Sequence, residues 1–261
     1  MKRILSFSLF AALALTGNAS FAADACTKIV ATGHPQYPAI AYKDGDNIAG
    51  AAPMLVEAIA KNLKVPLESK YMGTWEAAQA AARDGKADMI FGIYYNDERA
   101  TYLDYVKPAF MFDEAVVFVA KDKPFAYKDE NDLIGKKGAT NQGESYGNDF
   151  DAFIKDKLTV ARTDGVDGAF KDLLDGKADY VMAGYYSGLA EAAKEGIKDK
   201  VEPLSPAILE AEMFVAFSKK SPCRSLAEGF GKGITELTTN DKFDAMLDDA
   251  IKAWDGAQAK K

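Results

Sequence analysis

The sequence predicts an α/β protein built from two related lobes, each with a mostly parallel sheet flanked by helices. The first observation is a repeat: residues 85–95 read GKADMIFGIYY and residues 176–186 read GKADYVMAGYY, an offset of 91 with six identical positions. The second is the alternation of strand and helix patterns, which is typical of βαβ units. The third is the unbroken apolar run Met89-Ile90-Phe91, which indicates a sheet covered on both faces.

The first lobe begins with an apolar strand at 27–32, followed by a Pro-containing loop at 33–38. Pro53 is expected in the first turn of a helix, where proline is tolerated. A strand at 67–71 follows, and then a helix that Thr74 can cap and Gly85 can end. The strand at 89–91 completes a β-α-β-α-β order.

The second lobe repeats this plan, with a strand at 158–162, a helix lined by Val166, Phe170, Leu173 and Leu174, and a strand at 180–183. Apolar runs at 115–121 and 213–219 each end in a charged, Pro-containing segment, which predicts that the chain crosses between lobes there. We therefore expect residues 23–119 plus 220–255 to form lobe one and residues 120–219 to form lobe two. Residues 256–261 are expected to be a tail.

Residues 1–22 have the features of a secretory signal peptide, with Lys2 and Arg3, an apolar run at 4–15 and a small-x-small exit ending at Ala22. A buried N-terminal helix is the alternative for this segment. No later stretch approaches the ~18 apolar residues needed to span a bilayer. We expect a soluble protein exported to the periplasm, and the net charge of −7 argues against nucleic acid as a partner.

Cys26 and Cys223 are the only cysteines, and export would place them where disulfides persist. A bridge would close a loop of about 200 residues, worth on the order of 4 kcal/mol in the chain-entropy model. Two unpaired buried thiols are the alternative, because sequence does not show the distance between the two Cα atoms. His34 is the only histidine, so we expect no zinc site, no other metal and no cofactor.

The chain resembles the extracellular solute-binding proteins of family 3, the periplasmic receptors of polar amino-acid ABC importers. The likeness runs from about Cys26 to Trp254 in the segments VATGHPQYPAIAY, MLVEAIAKNL, TWEAAQAAARDGKADMIFG, NDER, LDYVKPAF and GKKGATNQGES. It implies the type II periplasmic-binding-protein fold, in which two hinge crossings join two lobes that close on a small ligand. It also implies a monomer that delivers its ligand to an ABC permease in the inner membrane.

The resemblance implies three ligand contacts. Arg99 falls on the arginine that clamps the ligand carboxylate, and its planar fork suits that role; a surface salt bridge with Asp97 or Glu98 is the alternative. Ser145 falls on a Ser or Thr at a helix N-terminus that contacts the same carboxylate; a plain helix cap is the alternative. Tyr37 falls on the aromatic residue that stacks over the ligand.

The chain departs from the family at positions that decide how the ligand's charge is met. Family members usually carry acids where this chain has His34 and Gly184, and the acid at the second position usually holds the ligand's α-ammonium. Tyr94 stands where a Ser or Thr is usual. Because a buried ammonium without an acceptor is costly, an amino acid would need a substitute partner here.

Two kinds of substitute are present. Aromatic side chains at the expected cleft can form a cation–π cage worth about 0.5–2 kcal/mol per contact; they are Tyr37, Trp75, Tyr94, Tyr95, Tyr185 and Tyr186. Otherwise an acid near the hinge reaches in, from among Asp113, Glu114, Glu210 and Glu212. We expect one tyrosine of each adjacent pair to point into the cleft. In the alternative without an ammonium, tyrosine hydroxyls and His34 bond a carboxylate with a hydroxyl or aromatic body.

Three functions follow from these residues. The leading one is a receptor, not an enzyme, for a small carboxylate-bearing solute such as an amino acid or a related organic acid. The second is an enzyme resembling the cyclohexadienyl dehydratases of this fold family, with Arg99, His34 and a nearby Glu doing proton chemistry. A single histidine and the lack of a Ser-His-Asp arrangement argue against it. The third is a ligand sensor that acts on a separate membrane partner.

Overall fold

The computed structural model describes residues 26–258. The predicted signal peptide at 1–22 and the end of the predicted tail at 259–261 lie outside the described residues. Across 26–258, none of the helices combines the length and apolar character that crossing a bilayer requires.

Strands and helices alternate along residues 26–258. The strands are β1 (Ile29–Gly33), β2 (Gln36–Tyr37), β3 (Ala41–Asp44), β4 (Asn47–Ala49), β5 (Leu67–Ser69), β6 (Met89–Tyr94), β7 (Leu103–Ala120), β8 (Lys137–Asn141), β9 (Thr159–Thr163), β10 (Tyr180–Gly184), β11 (Val201–Pro203) and β12 (Leu209–Ser218). The α-helices are α1 (Ala51–Asn62), α2 (Trp75–Asp84), α3 (Asp97–Ala100), α4 (Asn148–Lys157), α5 (Val166–Leu174), α6 (Tyr185–Lys194), α7 (Ala227–Thr239) and α8 (Lys242–Gln258). Short 3-10 helices lie at Glu130–Leu133 and Pro222–Leu226.

One long sheet runs through the molecule in the order β5-β1-β6-β12-β7-β10-β8-β9, with β11 paired to β7. Its two ends are parallel: β1 pairs with β5 and β6, and β8 pairs with β10 and β9. Strands β7 and β12 run antiparallel to each other in the middle of the sheet. A small sheet of β2, β3 and β4 lies beside the first parallel part. We call the half with β1, β5 and β6 lobe one and the half with β8, β9 and β10 lobe two.

The repeated GKAD segment makes the same contacts in both lobes. In lobe one, Asp88 donates its backbone N–H to Val30 O at 2.7 Å, and its carboxylate accepts from Val30 N at 2.9 Å. In lobe two, Asp179 makes the equivalent pair with Lys137, at 2.7 Å for each bond. The aspartate thus fastens the start of β6 or β10 to the neighbouring strand, which is why it recurs with its turn.

The local signals before this segment are also confirmed. Thr74 caps α2 by accepting from Ala77 N at 3.3 Å, and Gly85 ends the helix with φ 79° in the left-handed region. Pro53 lies in the first turn of α1, although that helix begins two residues earlier at Ala51. Leu174 differs from its prediction: it is the last residue of α5 and is exposed, not part of the buried stripe.

The apolar cores change over within the two long strands. Lobe one's clusters include Phe110 and Met111 of β7, whereas lobe two's clusters begin at Ala115. On β12 the change lies between Leu209 and Ala211. The change of core thus lies on the two strands that carry the predicted crossings, but a few residues before 115–121 on β7 and before 213–219 on β12. The lobe boundaries at 119/120 and 219/220 stay predictions, and the change of core lies on the N-terminal side of both.

The end of the described chain returns to lobe one. Helices α7 and α8 bury Phe230, Ile234 and Phe243 in its core, as the apolar spacing predicts. Cys26 and Cys223 form a disulfide, with Cα atoms 4.7 Å apart, that ties the residues before β1 to the 3-10 helix Pro222–Leu226. The predicted tail at 256–261 needs correction, because its first three residues continue α8.

Candidate functional site

Most of the predicted site residues converge where the ends of β1 and β6 in lobe one face the ends of β8 and β10 in lobe two. Direct hydrogen bonds span this cleft. Asn96 Nδ2 donates to Ser145 Oγ at 2.7 Å, and Gln36 Nε2 donates to Asp167 Oδ1 at 2.9 Å. The two lobes are therefore in contact, and a molecule held here would touch both.

Arg99 lies at the base of this cleft and is 3% exposed. Its guanidinium donates to Gln79 Oε1 at 3.0 Å, to Tyr94 O at 3.1 Å and to Gly143 O at 3.0 Å. All three acceptors are neutral, and among residues 26–258 no acid forms an ion pair with Arg99. The alternative of a surface salt bridge is wrong, because Glu98 pairs with Arg83 instead.

Helix α3 and its cap hold this arginine in place. Asn96, the N-cap, accepts from Arg99 N at 2.7 Å and thereby fixes the backbone from which the side chain extends. The guanidinium carbon lies 5.6 Å from the ring centroid of Trp75, which is buried. A cation held among carbonyl oxygens and an aromatic face is preorganised to receive an anion.

His34 follows β1 and is also buried. Its Nδ1 accepts the backbone N–H of Gln36 at 2.9 Å, so the proton of the neutral ring is on Nε2. Nε2 lies 2.9 Å from Glu144 Oε1 and donates to it across the cleft. The ring also packs at 4.9 Å, centroid to centroid, on Trp75. His34 therefore joins the lobes and orients Glu144.

Glu144 of lobe two is held as a carboxylate by this arrangement. Burial raises its pKa, but the hydrogen bond from His34, the charge of Arg99 and the hydrogen bond from Asn141 lower it, and the net shift is downward. Asn141 Nδ2 reaches the same oxygen at 3.4 Å. The charge of Glu144 is thus already met by protein donors.

Tyr37, Tyr94 and Asp113 form a second buried cluster. The Tyr37 and Tyr94 hydroxyls lie 2.9 Å apart, and each donates to Asp113 Oδ2. Asp113 is on β7 at the crossing and is 3% exposed. Burial raises the pKa of Asp113, the two tyrosine hydrogen bonds lower it, the charges of Glu144 and Glu114 raise it, and the net shift is upward. Burial and then Asp113 raise the pKa of both tyrosines.

Gly184, at the end of β10, is in contact with this cluster from lobe two. A Cβ built on Gly184 would overlap the hydroxyl oxygen of Tyr37 and come within 2.9 Å of Ser187 Oγ. The tip of Tyr37 therefore occupies the space that any side chain at position 184 would need. Tyr37 can occupy this position only because residue 184 has no side chain.

Ser145 lies in the cleft but not at the predicted place in α4. The helix begins at Asn148 with Gly147 as N-cap, so the expectation that Ser145 is at the helix N-terminus is wrong in register. Ser145 Oγ accepts from Asn96 Nδ2 and donates to Asp151 Oδ2. Its hydroxyl links the two lobes and is held by the first turn of α4.

The aromatic residues divide into two groups. Tyr94 points into the cleft while its neighbour Tyr95 is 47% exposed, so one tyrosine of that pair faces inward as predicted. The second pair does not follow the prediction, because Tyr185 and Tyr186 are the first residues of α6. Tyr185 packs against lobe two's core and Tyr186 is exposed. Tyr95 and Tyr185 are therefore not part of the cluster.

Four contributors were missed or left among several candidates. Glu144 and Asn141 lie in the quoted segment GATNQGES, but only long-range packing shows which of its polar residues face His34. Gln79 stands on the buried, otherwise alanine-rich face of α2, which was a readable signal. Asp113 was one of four candidate acids near the hinge; Glu114, Glu210 and Glu212 are exposed.

A cavity of about 470 Å³ opens beside the cluster and is shared by both lobes. Trp75, which packs on His34, and Asn141, which bonds to Glu144, both line this cavity. Its other walls carry both charges, with Lys43 and Lys194 facing Asp164, Asp167 and Glu191. This volume is typical of sites for small molecules. Within 26–258 no group of His, Cys, Asp and Glu is arranged to hold a metal ion.

Comparison with known proteins adds a family and a fold. The model of a family described as bacterial extracellular solute-binding proteins, family 3, matches residues 29–252. A comparison with curated protein sequences gives no match.

Among solved structures, a mutant of ArgBP from T. maritima is 24% identical, with a TM-score of 0.72, over 87% of this chain and 96% of that one. The L-arginine-bound AbpA of Streptococcus pneumoniae has the same identity, TM-score and coverage. A histidine kinase sensor domain with similarity to periplasmic binding proteins is 22% identical, with a TM-score of 0.72, over 86% of this chain and 96% of that one. These likenesses show the predicted type II periplasmic-binding-protein fold.

Proposed function

Because its family model covers residues 29–252, this chain belongs to the bacterial extracellular solute-binding proteins of family 3, and we propose that it is a periplasmic receptor for a small carboxylate-bearing solute of the amino-acid class. The family consists of binding proteins, so the receptor prediction is confirmed over the enzyme prediction at this level. The finer statements, a carboxylate ligand, an amino acid and delivery to an ABC importer, are the proposal.

Arg99 is the observation that carries the carboxylate. The Arg99 guanidinium is buried, its hydrogen-bond acceptors are all neutral, and no acid of the described residues pairs with it directly, which is costly in a poorly solvated site. A ligand carboxylate would supply that charge and accept two of the donors in the fork. Glu144 does not take this role, because it bonds to His34 and Asn141.

The cavity beside the cluster supports a ligand with a body as well as a carboxylate. Its walls offer the aromatic faces of Trp75, Tyr71 and Trp254, together with acids and lysines. A side chain leaving the cluster past Trp75 would enter this space. Amino acids are therefore the first class to test, including the L-arginine that AbpA binds.

The mechanism of such a receptor is a shift between open and closed populations. A ligand that touches Arg99 in lobe one and Gly143 or Ser145 in lobe two makes its full set of contacts only when the lobes are closed. It therefore favours closure by the difference in its affinity for the two states. We propose that an ABC permease in the inner membrane recognises the closed form.

The dehydratase alternative receives no support from the site. Both ring nitrogens of His34 are engaged, Nδ1 by Gln36 N–H and Nε2 by Glu144. Glu212, one of the candidate acids near the hinge, is exposed on β12 and is not among the residues that line the cavities at the cleft. A general acid or base must reach a substrate proton, and neither His34 nor Glu212 is placed to do so.

The test is a thermal-shift screen followed by calorimetry. The screen uses L-amino acids, 2-hydroxy acids, aromatic acids and betaines, and we expect stabilisation by members of the carboxylate classes. Arg99→Ala is expected to weaken the best ligand on the order of a hundredfold or more, since a buried partner of a charged group is removed. Arg99→Lys keeps the charge without the fork and should give an intermediate loss.

Arg83→Ala is the matched control, because Arg83 is exposed and pairs only with Glu98 and the Tyr102 ring. Unchanged affinity in Arg99→Ala would contradict the clamp. For delivery, inner-membrane vesicles that contain the cognate permease should take up the ligand only when wild-type protein is added. Uptake that does not depend on the protein would contradict the transport role.

A further inference from the structure

We propose that Asp113, together with the hydroxyls of Tyr37 and Tyr94, is the subsite that holds a cationic ammonium group of the ligand. The ligand is then a zwitterion bound between Arg99 and Asp113. This inference rests on the proposed function and names the chemical class that the same cleft selects.

The first argument is the burial of an unpaired charge. Asp113 is 3% exposed, and the ion pairs found among residues 26–258 include no lysine or arginine bonded to it. Its one engaged oxygen accepts from two hydroxyls, which are neutral donors. Hydrogen bonds of this kind offset only part of the cost of burying a carboxylate. A cation from outside the chain would complete the compensation.

The second argument compares the two acids at this cleft. Glu144 is engaged by His34 and Asn141 and stands in the field of Arg99, and these contacts lower its pKa against the effect of burial. Asp113 faces only tyrosine hydroxyls and the negative charges of Glu144 and Glu114, and its pKa is raised. Of the two carboxylates, Asp113 is the one whose surroundings lack positive charge.

The third argument is that the Tyr37 hydroxyl occupies the volume next to Gly184. The Tyr37 hydroxyl fills the volume where a side chain at position 184 would lie, so an acid there is excluded by this arrangement. The same hydroxyl donates to Asp113. At this point between the lobes, the buried acid that meets the Tyr37 hydroxyl is therefore Asp113 of the crossing strand β7.

The fourth argument is the chemistry of the surrounding wall. A small cavity between the lobes is lined by Tyr37, Tyr94 and Tyr146, and its one charged lining group is the Glu144 carboxylate. The two tyrosines that donate to Asp113 thus also border this cavity, and their rings favour a cation through their negative faces. The described lining residues include no lysine or arginine, so an anionic group entering here would meet no positive charge.

The experiment measures selectivity for the amino group. L-arginine, L-glutamate, L-alanine and L-phenylalanine are titrated by calorimetry, each beside the 2-hydroxy acid of the same side chain. Wild-type protein should bind at least one amino acid and prefer it to its hydroxy acid on the order of a hundredfold, because the hydroxy acid lacks the charge that Asp113 needs. In Asp113→Asn that preference should fall to roughly threefold or less, mainly through loss of amino-acid affinity.

Two further variants separate a subsite from a structural role. Glu114→Gln changes the adjacent, exposed acid on the same strand and should leave the preference intact. Tyr94→Phe keeps the ring but removes one hydroxyl of the subsite, which donates to Asp113, so the preference should fall partway, to roughly tenfold. If Asp113→Asn fails to fold, this partial loss in Tyr94→Phe tests the subsite in its place.

The outcomes are distinguishable. An amino-acid preference that survives in Asp113→Asn would overturn the subsite, as would wild-type protein that binds hydroxy acids as tightly as amino acids; the receptor would stand in both cases. An unchanged preference in a folded Tyr94→Phe together with loss of fold in Asp113→Asn would indicate a structural role for these residues and overturn the subsite. Failure to bind any carboxylate of the panel would overturn both the subsite and the proposed function.

Discussion

Arg99 and Asp113 are buried charges of opposite sign at one cleft, and among residues 26–258 neither forms an ion pair. Each is instead surrounded by neutral oxygens, carbonyl and amide groups for Arg99 and hydroxyl groups for Asp113. Tyr94 contacts both, through its carbonyl oxygen and through its hydroxyl. At the scale of single residues, the site therefore holds two buried charges of opposite sign, each without a direct ion-pair partner among the described residues.

Adding a side chain at Gly184 should impair closure of the two lobes. In Gly184→Ala, the new methyl group would overlap the Tyr37 hydroxyl only when the lobes are together. We expect ligand affinity to fall roughly tenfold or more, since overpacking costs about 1–3 kcal/mol. The free energy of unfolding of the ligand-free protein should change little. Calorimetry and urea denaturation measure the two quantities.

Gly256→Ala is the matched control for this substitution, because a Cβ there meets no atom within 4 Å. If Gly184→Ala bound ligand like the wild type, the contact between Tyr37 and position 184 would not belong to the bound state.

Asp113 makes a prediction about pH. Its pKa in the folded protein is raised from 3.8, chiefly by burial, so the folded state holds this proton more tightly than the unfolded state does. Below 3.8 both states are protonated and the residue costs nothing. As pH rises through the raised pKa, ionisation increasingly favours unfolding.

Asp113→Asn should therefore stabilise the ligand-free protein near about pH 7, and this gain should shrink towards about pH 4. Urea denaturation of both proteins across this range measures it. A variant that is less stable than the wild type at neutral pH, with a deficit that disappears in acid, would show that the charge stabilises the fold.

At the scale of elements, local signals predicted what local contacts determine. The GKAD repeat, the Thr74 cap and the Gly85 terminus each depend on residues close in sequence, and each was found where expected. The site was harder to predict for the same physical reason. Whether Asp113 or its neighbour Glu114 is buried depends on how β7 pairs with β12 and on Tyr37 arriving from β2.

The hinge shows the same limit. β7 continues from Leu103 to Ala120 without a break, so no turn residue marks the change of lobe, and only the partner strands reveal it. The predicted crossings were accordingly on the correct strands but late. Tyr185 was wrongly assigned to the end of a strand, because two apolar residues are too few to show whether the sequence has the periodicity of a strand or that of a helix such as α6.

The disulfide makes a prediction at this scale. Cys26 and Cys223 are separated by 197 residues, a loop that contains all of lobe two. Reduction, or Cys26→Ser with Cys223→Ser, should lower the free energy of unfolding on the order of 4 kcal/mol in the chain-entropy model. Urea denaturation with and without reductant measures this. Reductant should have no effect on the double variant, and equal stability of reduced and oxidised wild type would contradict a constraining bridge.

At the scale of the whole molecule, the long sheet explains how two lobes can move as units. Within residues 26–258, β7 and β12 are the strands that join the two parallel parts, and the cores on either side share no residues. Further contacts between the lobes lie at the cleft and include hydrogen bonds of polar side chains, such as Asn96 to Ser145 and His34 to Glu144. Such contacts exchange readily with water and with a ligand, which is what a closing receptor requires.

The crystal structure of the complex with the tightest-binding amino acid tests the central claim most directly. The account predicts the ligand between the lobes, with its carboxylate on the Arg99 guanidinium and its ammonium within hydrogen-bond distance of the Asp113 carboxylate or the Tyr37 and Tyr94 hydroxyls. A ligand bound outside the cleft, or one whose ammonium is met by other groups while Asp113 stays bonded only to the tyrosines, would contradict it.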